Sequence, residues 1–142
     1  MTAAIPPDFM PIAHSGRHQS FEHFVGPIYH VPTDSTDRAR FGFLVEARHT
    51  NPYGMLHGGM LTTVVDTMMG WLVFHALKGG PCATINLNCD FISAARTGDW
   101  VEGDAQVTRM GRQVAFVRAR VNCGERALLT ASGSWAILEA KK

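Results

Sequence analysis

Residues 51–70 read NPYGMLHGGMLTTVVDTMMG. An Asn-Pro turn with a nearby glycine leads into His57-Gly58-Gly59, and from there the character of the chain changes. Over residues 60–77 apolar side chains fall on nearly every face of a helix, interrupted at Thr62, Thr63, Asp66, Thr67, Gly70 and His75. Lys78, Gly79, Gly80 and Pro81 then supply the stop. A helix that is apolar all round has to be wrapped on most of its sides. Residues 56–77 are long enough to cross a bilayer. Asp66 at the centre and His75 near the end make a lipid environment costly, so the helix is expected inside a protein core and no membrane partner is expected.

Outward from this helix the pattern is that of strands. On the N-terminal side, residues 40–48 place Phe41, Phe43, Val45 and Ala47 in alternation with Arg40, Gly42, Glu46 and Arg48, and residues 21–30 suit a short helix or an irregular turn. On the C-terminal side, Ile85, Leu87, Cys89 and Phe91 alternate with Thr84, Asn86, Asn88 and Asp90. Residues 101–108 and 114–121 follow with the same period around a Met-Gly-Arg turn, and residues 129–138 end the series. Four consecutive strands after one helix predict an antiparallel meander with the helix laid against it, an α+β architecture. One sheet covers one side of a helix, so the remaining apolar surface predicts a symmetric homodimer.

Bulk composition narrows the function. The chain has 142 residues, 46% of them hydrophobic and 18% charged, enough for one core and too few for two ordinary domains. We expect a flexible tail over residues 1–20 and a single domain over residues 21–142. Thirteen basic against twelve acidic side chains leave a net charge of +1, too little to draw the protein onto nucleic acid. The three cysteines lack CxxC spacing, so a disulfide framework or zinc knuckle is not expected and a reducing cytoplasm fits. His14 and His18 have helical spacing but lie in a Pro- and Gly-containing segment, and no metal is expected there. Prolines in the first residues also interrupt any secretory signal.

Asp66 is the residue with the most chemical promise. Its sequence neighbours Val64, Val65, Met68 and Met69 are apolar, and a carboxylate in such surroundings is a better base than one in water, suited to activating a water or attacking an acyl carbon. Gly58 stands where the first helical N–H groups lack partners and the helix dipole adds positive charge, the place to stabilise an oxyanion. Gly58-Gly59 also reads as a plain loop-to-helix junction, His57 as a loop residue and Asn51 as the turn residue before Pro52. Arg96, Arg109 and Arg112 read as solvated surface charges; were the ligand to carry phosphates they would be the candidates, because guanidinium suits phosphate oxygens and no phosphate-binding glycine motif is present.

Through Asn51, Gly54, His57-Gly58-Gly59 and Asp66, nine positions after the histidine, the chain resembles the PaaI-like acyl-CoA thioesterases of the hotdog superfamily. The strand over residues 84–91, followed by SAARTGD, is similar to that family too, and the resemblance runs from about residue 21 to residue 138. It implies a hotdog fold, with an antiparallel sheet wrapped around one long central helix, in dimers that often pair into tetramers. It also implies hydrolysis of an acyl-CoA thioester without a separate cofactor, coenzyme A being part of the substrate. Asp66 would be general base or nucleophile, Gly58 the backbone oxyanion donor, and Asn51 with His57 the positioning groups. Thr84 would help place the water. Two positions depart from the pattern: Ala94 stands where many members have proline, and Thr84 where some have serine.

The reading is therefore a thioesterase for an aromatic or medium-chain acyl-CoA. An acyl-thioester dehydratase or hydratase fits less well, since His57 runs directly into the helix start, and a non-catalytic acyl-CoA-binding protein would leave Asp66 structural. Gly58 and Asp66 are eight residues apart on one expected helix, about 12 Å along its axis. A composite site follows, with Asn51 and Gly58 from one subunit and Asp66 and Thr84 from its partner.

Overall fold

A computed structural model describes residues 1–13 and 19–139. In chain order the elements are β1 (Met10–Pro11), α1 (Phe21–Val25), β2 (Tyr29–His30), β3 (Arg38–Leu44), a 3-10 turn (Ala47–His49), α2 (Gly58–Ala76), β4 (Cys82–Phe91), β5 (Trp100–Met110), β6 (Val114–Cys123) and β7 (Arg126–Ile137). All seven strands form one antiparallel sheet in the order β1-β2-β3-β5-β6-β7-β4, and α2 lies across it.

The helix begins where the sequence changes character. His57 is its N-cap, and its Nδ1 accepts the Gly59 N–H at 2.8 Å. At the other end Lys78 and Gly79 both take positive φ, 55° and 87°, while the Gly79 N–H donates to the Phe74 carbonyl, which closes the last turn. Met60, Leu61, Val64, Val65, Met68, Met69, Leu72 and Val73 of α2 are buried. They meet Phe41, Phe43, Val101, Val117, Val121, Leu129 and Trp135 from the sheet in one core. Burying each such side chain is worth roughly 1.5–3 kcal/mol, so this face fixes the helix on the sheet. Thr62, Thr63, Asp66, Thr67, Gly70, Trp71 and Phe74 lie on the opposite face, which the sheet leaves incompletely covered.

Three differences from the sequence-based expectations have physical causes. The meander is β5-β6-β7 only; β4 sits at the far edge beside β7, because α2 carries the chain across the sheet before β4 joins it. The strand expected over residues 40–48 ends at Leu44, where Glu46 and His49 exchange side-chain and backbone hydrogen bonds and bend the chain into the 3-10 turn. Within the segment expected as a tail over residues 1–20, Met10–Pro11 pair with β2. Phe9 is buried edge-on to Trp100, with the Arg40 guanidinium 5.2 Å from its ring centroid. The Ala3 N–H donates to the Gly98 carbonyl. His14 and His18 fall outside the described residues.

Candidate active site

The start and the middle of the long helix carry different halves of the expected chemistry. Halfway along α2, Asp66 projects from the partly covered face, and its Oδ1 accepts the Thr84 hydroxyl at 2.7 Å. Val64, Val65, Met68 and Met69 point the other way into the core. Val64, Val65 and Met68, one and two positions away, do not share a helix face with Asp66, and Met69, three positions on, is fully buried in the core, so the apolar surroundings inferred for Asp66 belong largely to its sequence neighbours. In space it is half-buried and lines a cleft of about 580 Å³.

Strict alternation along β4 would put Thr84 on the face opposite Ile85, Leu87 and Cys89. A bulge at Ile85 changes this: Thr84 pairs with Trp135 and Asn86 with Ser134, so one partner step spans two residues of β4. Trp135 is buried against the helix, and directly paired residues of an antiparallel ladder share a face. Thr84 therefore looks toward α2, on the side that also carries Leu87, and Ile85 is left exposed at the sheet edge.

The cleft is walled by Trp71, Phe74, His75, Cys82 and Trp135. Five helix positions that follow Asp66 also line it, Thr67, Gly70, Trp71, Phe74 and His75, of which Gly70 and Phe74 are four and eight residues on, a spacing available in the sequence. Trp71 meets two histidines in tilted arrangements, with centroids 3.8 Å from His75 and 5.1 Å from His30. Burial first, then the nearby His75, holds the His30 imidazole below its ordinary range. Burial, and second the Asp66 carboxylate, pushes the Cys82 thiol up, which disfavours its thiolate form.

At the helix start Asn51 acts through its side-chain oxygen, which accepts the N–H groups of Tyr53 and Met55 at 3.0 and 3.2 Å and shapes the loop. His57 caps the helix as described. The Gly58 N–H makes no hydrogen bond among the described residues. A Cβ on Gly58 would come within 3.1 Å of the Phe91 ring, so Phe91, which sequence reasoning missed, stands directly beside this amide.

Within one chain these halves do not meet. Gly58 and Asp66 lie on one continuous helix, about 12 Å apart along its axis, and the cleft at Asp66 contains neither Asn51, His57 nor Gly58. Arg96 belongs with the helix start through its bridge to Met55, and its own N–H is held by Asp99. Arg109 and Arg112 flank the β5–β6 hairpin, at the end of the sheet where Ala115 pairs with Trp135 and Trp135 with Thr84. No group of metal-binding side chains occurs among the described residues, and no helix among them is long and apolar enough to cross a membrane.

Comparison with known proteins places this geometry in context. Residues 53–130 match the family described as the Thioesterase superfamily. A protein of Pseudomonas aeruginosa named "Putative esterase PA0474" is 32% identical over 130 residues, 91% of this chain and 94% of that one. Acyl-coenzyme A thioesterase 13 of Mus musculus is 32% identical over 72 residues, 51% of each chain. The crystal structure of zebra fish thioesterase superfamily member 2 superposes with a TM-score of 0.78 at 22% identity, over 86% of this chain and 89% of that chain, which shows a shared fold.

Proposed function

Because the chain belongs to the thioesterase superfamily and is a thioester hydrolase, we propose that it cleaves an aromatic or medium-chain acyl-CoA to the free acid and coenzyme A at a site centred on Asp66. The observation that carries this is the Asp66–Thr84 hydrogen bond at the mouth of an aromatic-walled cleft. Thr84 occupies Oδ1, which leaves Oδ2 to take a proton from water. The resulting hydroxide adds to the thioester carbonyl, the Gly58 N–H receives the oxyanion, and collapse expels the coenzyme A thiolate, which is then protonated. Direct attack by the carboxylate, through an anhydride that water opens, uses the same atoms.

A carbonyl touching both Gly58 and a carboxylate requires two chains. Two features support a dimer with shared sites: among the described residues the second edge of β4 has no neighbouring strand, and the face of α2 bearing Asp66 lacks full cover. In this reading Asn51, His57 and Gly58 of one protomer face Asp66 and Thr84 of its partner, and Arg96, Arg109 and Arg112 bind the phosphates of coenzyme A. Two dimers pairing into a tetramer, and a cytoplasmic location, belong to the same reading. The test is a panel of acyl-CoAs assayed by trapping the released thiol. Free coenzyme A should appear, fastest with acyl groups that fill a cleft walled by Trp71, Phe74 and Trp135. Hydration of an enoyl-CoA with no thiol released, or binding without turnover, would replace this function with another.

A further inference from the structure

A second cavity lies on the other side of the sheet. Arg38 and Arg40 alternate with buried Ala39 and Phe41, Asp104 and Gln106 flank buried Ala105, and Arg118 and Arg120 flank buried Ala119. All six polar side chains therefore point away from α2 and from Asp66. Together with Val31, Pro32, Thr33 and Ser35, they line a groove of about 840 Å³, within the size range of small-molecule sites.

The charge in this groove is out of balance. Four arginines face the single carboxylate of Asp104, in a chain whose net charge is only +1. Arg40 is engaged at the rim by Asp8 at 3.1 Å and Glu102 at 3.4 Å, and Arg118 is bonded to the neutral Gln106 at 2.8 Å. The side chains of Arg38 and Arg120 have no hydrogen bond or ion pair among the described residues. Asp104 pairs in register with both Arg40 and Arg120, yet forms a salt bridge with neither. Across β5 the arginines are opposed only by Asp104 and Gln106, so no two are direct partners, but one carboxylate among four guanidinium groups leaves positive charge that a bound anion would neutralise. Strand spacing sets the arginine Cα atoms about 7 Å apart along a strand and about 10 Å apart across β5, within reach of one compact polyanion. Thr33, Ser35 and Thr130 add hydroxyl groups to the lining, and no aromatic ring is present to stack a base.

We propose that this outer-face groove is a binding site for a small molecule bearing a diphosphate group, separate from the thioester cleft. Guanidinium forks suit phosphate oxygens, and several of them together favour a diphosphate over a single phosphate. One chemistry has two sources here: the diphosphate of coenzyme A or that of an independent ligand. Since the sheet separates the groove from Asp66, the independent ligand is the one assigned.

The test is calorimetric titration of the full chain with inorganic pyrophosphate at constant ionic strength, beside orthophosphate. The wild type should bind pyrophosphate more tightly than orthophosphate, and R38Q/R120Q should weaken pyrophosphate binding by at least about tenfold. Absence of pyrophosphate binding, or equal binding by wild type and variant, overturns the site. The four arginines are solvent-facing, so the variants should melt at the wild-type temperature. If the double variant fails to fold, R118Q and R120Q are titrated singly and must each weaken binding. In a second arm, saturating coenzyme A should leave pyrophosphate affinity unchanged, and competitive displacement would assign the groove to the substrate and overturn its independence. This readout involves no turnover, so it stands or falls apart from the reaction proposed at Asp66.

Discussion

Asp66 and Thr84 form a pair that only one chemical change separates cleanly. Asp66→Asn keeps the size of the side chain and an oxygen for the Thr84 hydroxyl, but it removes the group able to accept a proton or attack carbon. The variant should fold with unchanged circular dichroism and lose at least about a hundredfold in turnover; near wild-type thiol release would end the assignment. His49 makes a different kind of prediction. It is 5% exposed, its Nδ1 accepts the Glu46 N–H at 3.0 Å, and its Nε2 lies 2.8 Å from the Val25 carbonyl. Burial, the largest cause, holds its imidazole below the ordinary value of about 6.5. The folded protein thus binds fewer protons here than the unfolded chain. Its contribution to stability is present above pH 6.5 and is lost as the pH falls from there toward the lowered folded value. Melting temperature should drop between pH 7.5 and 5.5, and His49→Gln should flatten that drop. A drop just as steep in the variant would assign it to other groups.

At the scale of elements, the helix stop and the sheet packing each rest on one position. Lys78 holds φ at 55° where glycine is the usual occupant, a conformation that costs a residue with a Cβ about 1–2 kcal/mol. Lys78→Gly should therefore raise the stability read from urea unfolding by up to about 1 kcal/mol after the entropy of the extra glycine is counted; a loss of stability would mean that Lys78 makes a compensating contact. Gly103 does the reverse. A Cβ there would stand 2.2 Å from the Phe41 ring, inside a core where Phe41 is 1% exposed. Gly103→Ala should cost about 1–3 kcal/mol in the same measurement, and a neutral result would show that β3 and β5 have room to separate.

For the whole molecule the decisive question is whether one site is shared by two chains. Asn51→Ala and Asp66→Asn should each be inactive. Unfolded together and refolded as an equal mixture, half the dimers carry one doubly altered and one intact site, so about a quarter of wild-type activity should return. Activity no higher than that of the separate variants would place each site within one chain. Much of the fold was legible in the order of residues. The apolar run over residues 60–77 and its Gly-Gly-Pro stop announced α2, and period-two alternation announced the strands, because helical and extended periodicities are local properties of the backbone; the motif from Asn51 through His57-Gly58-Gly59 to Asp66 announced the family by resemblance. The position of β4 beside β7, the turning of Thr84 toward Asp66 by the bulge at Ile85, the placement of Phe91 beside the Gly58 amide and the gathering of four arginines in one groove were not legible. Each depends on which strand lies next to which, and strand pairing joins residues far apart in sequence through backbone hydrogen bonds that carry no side-chain signature.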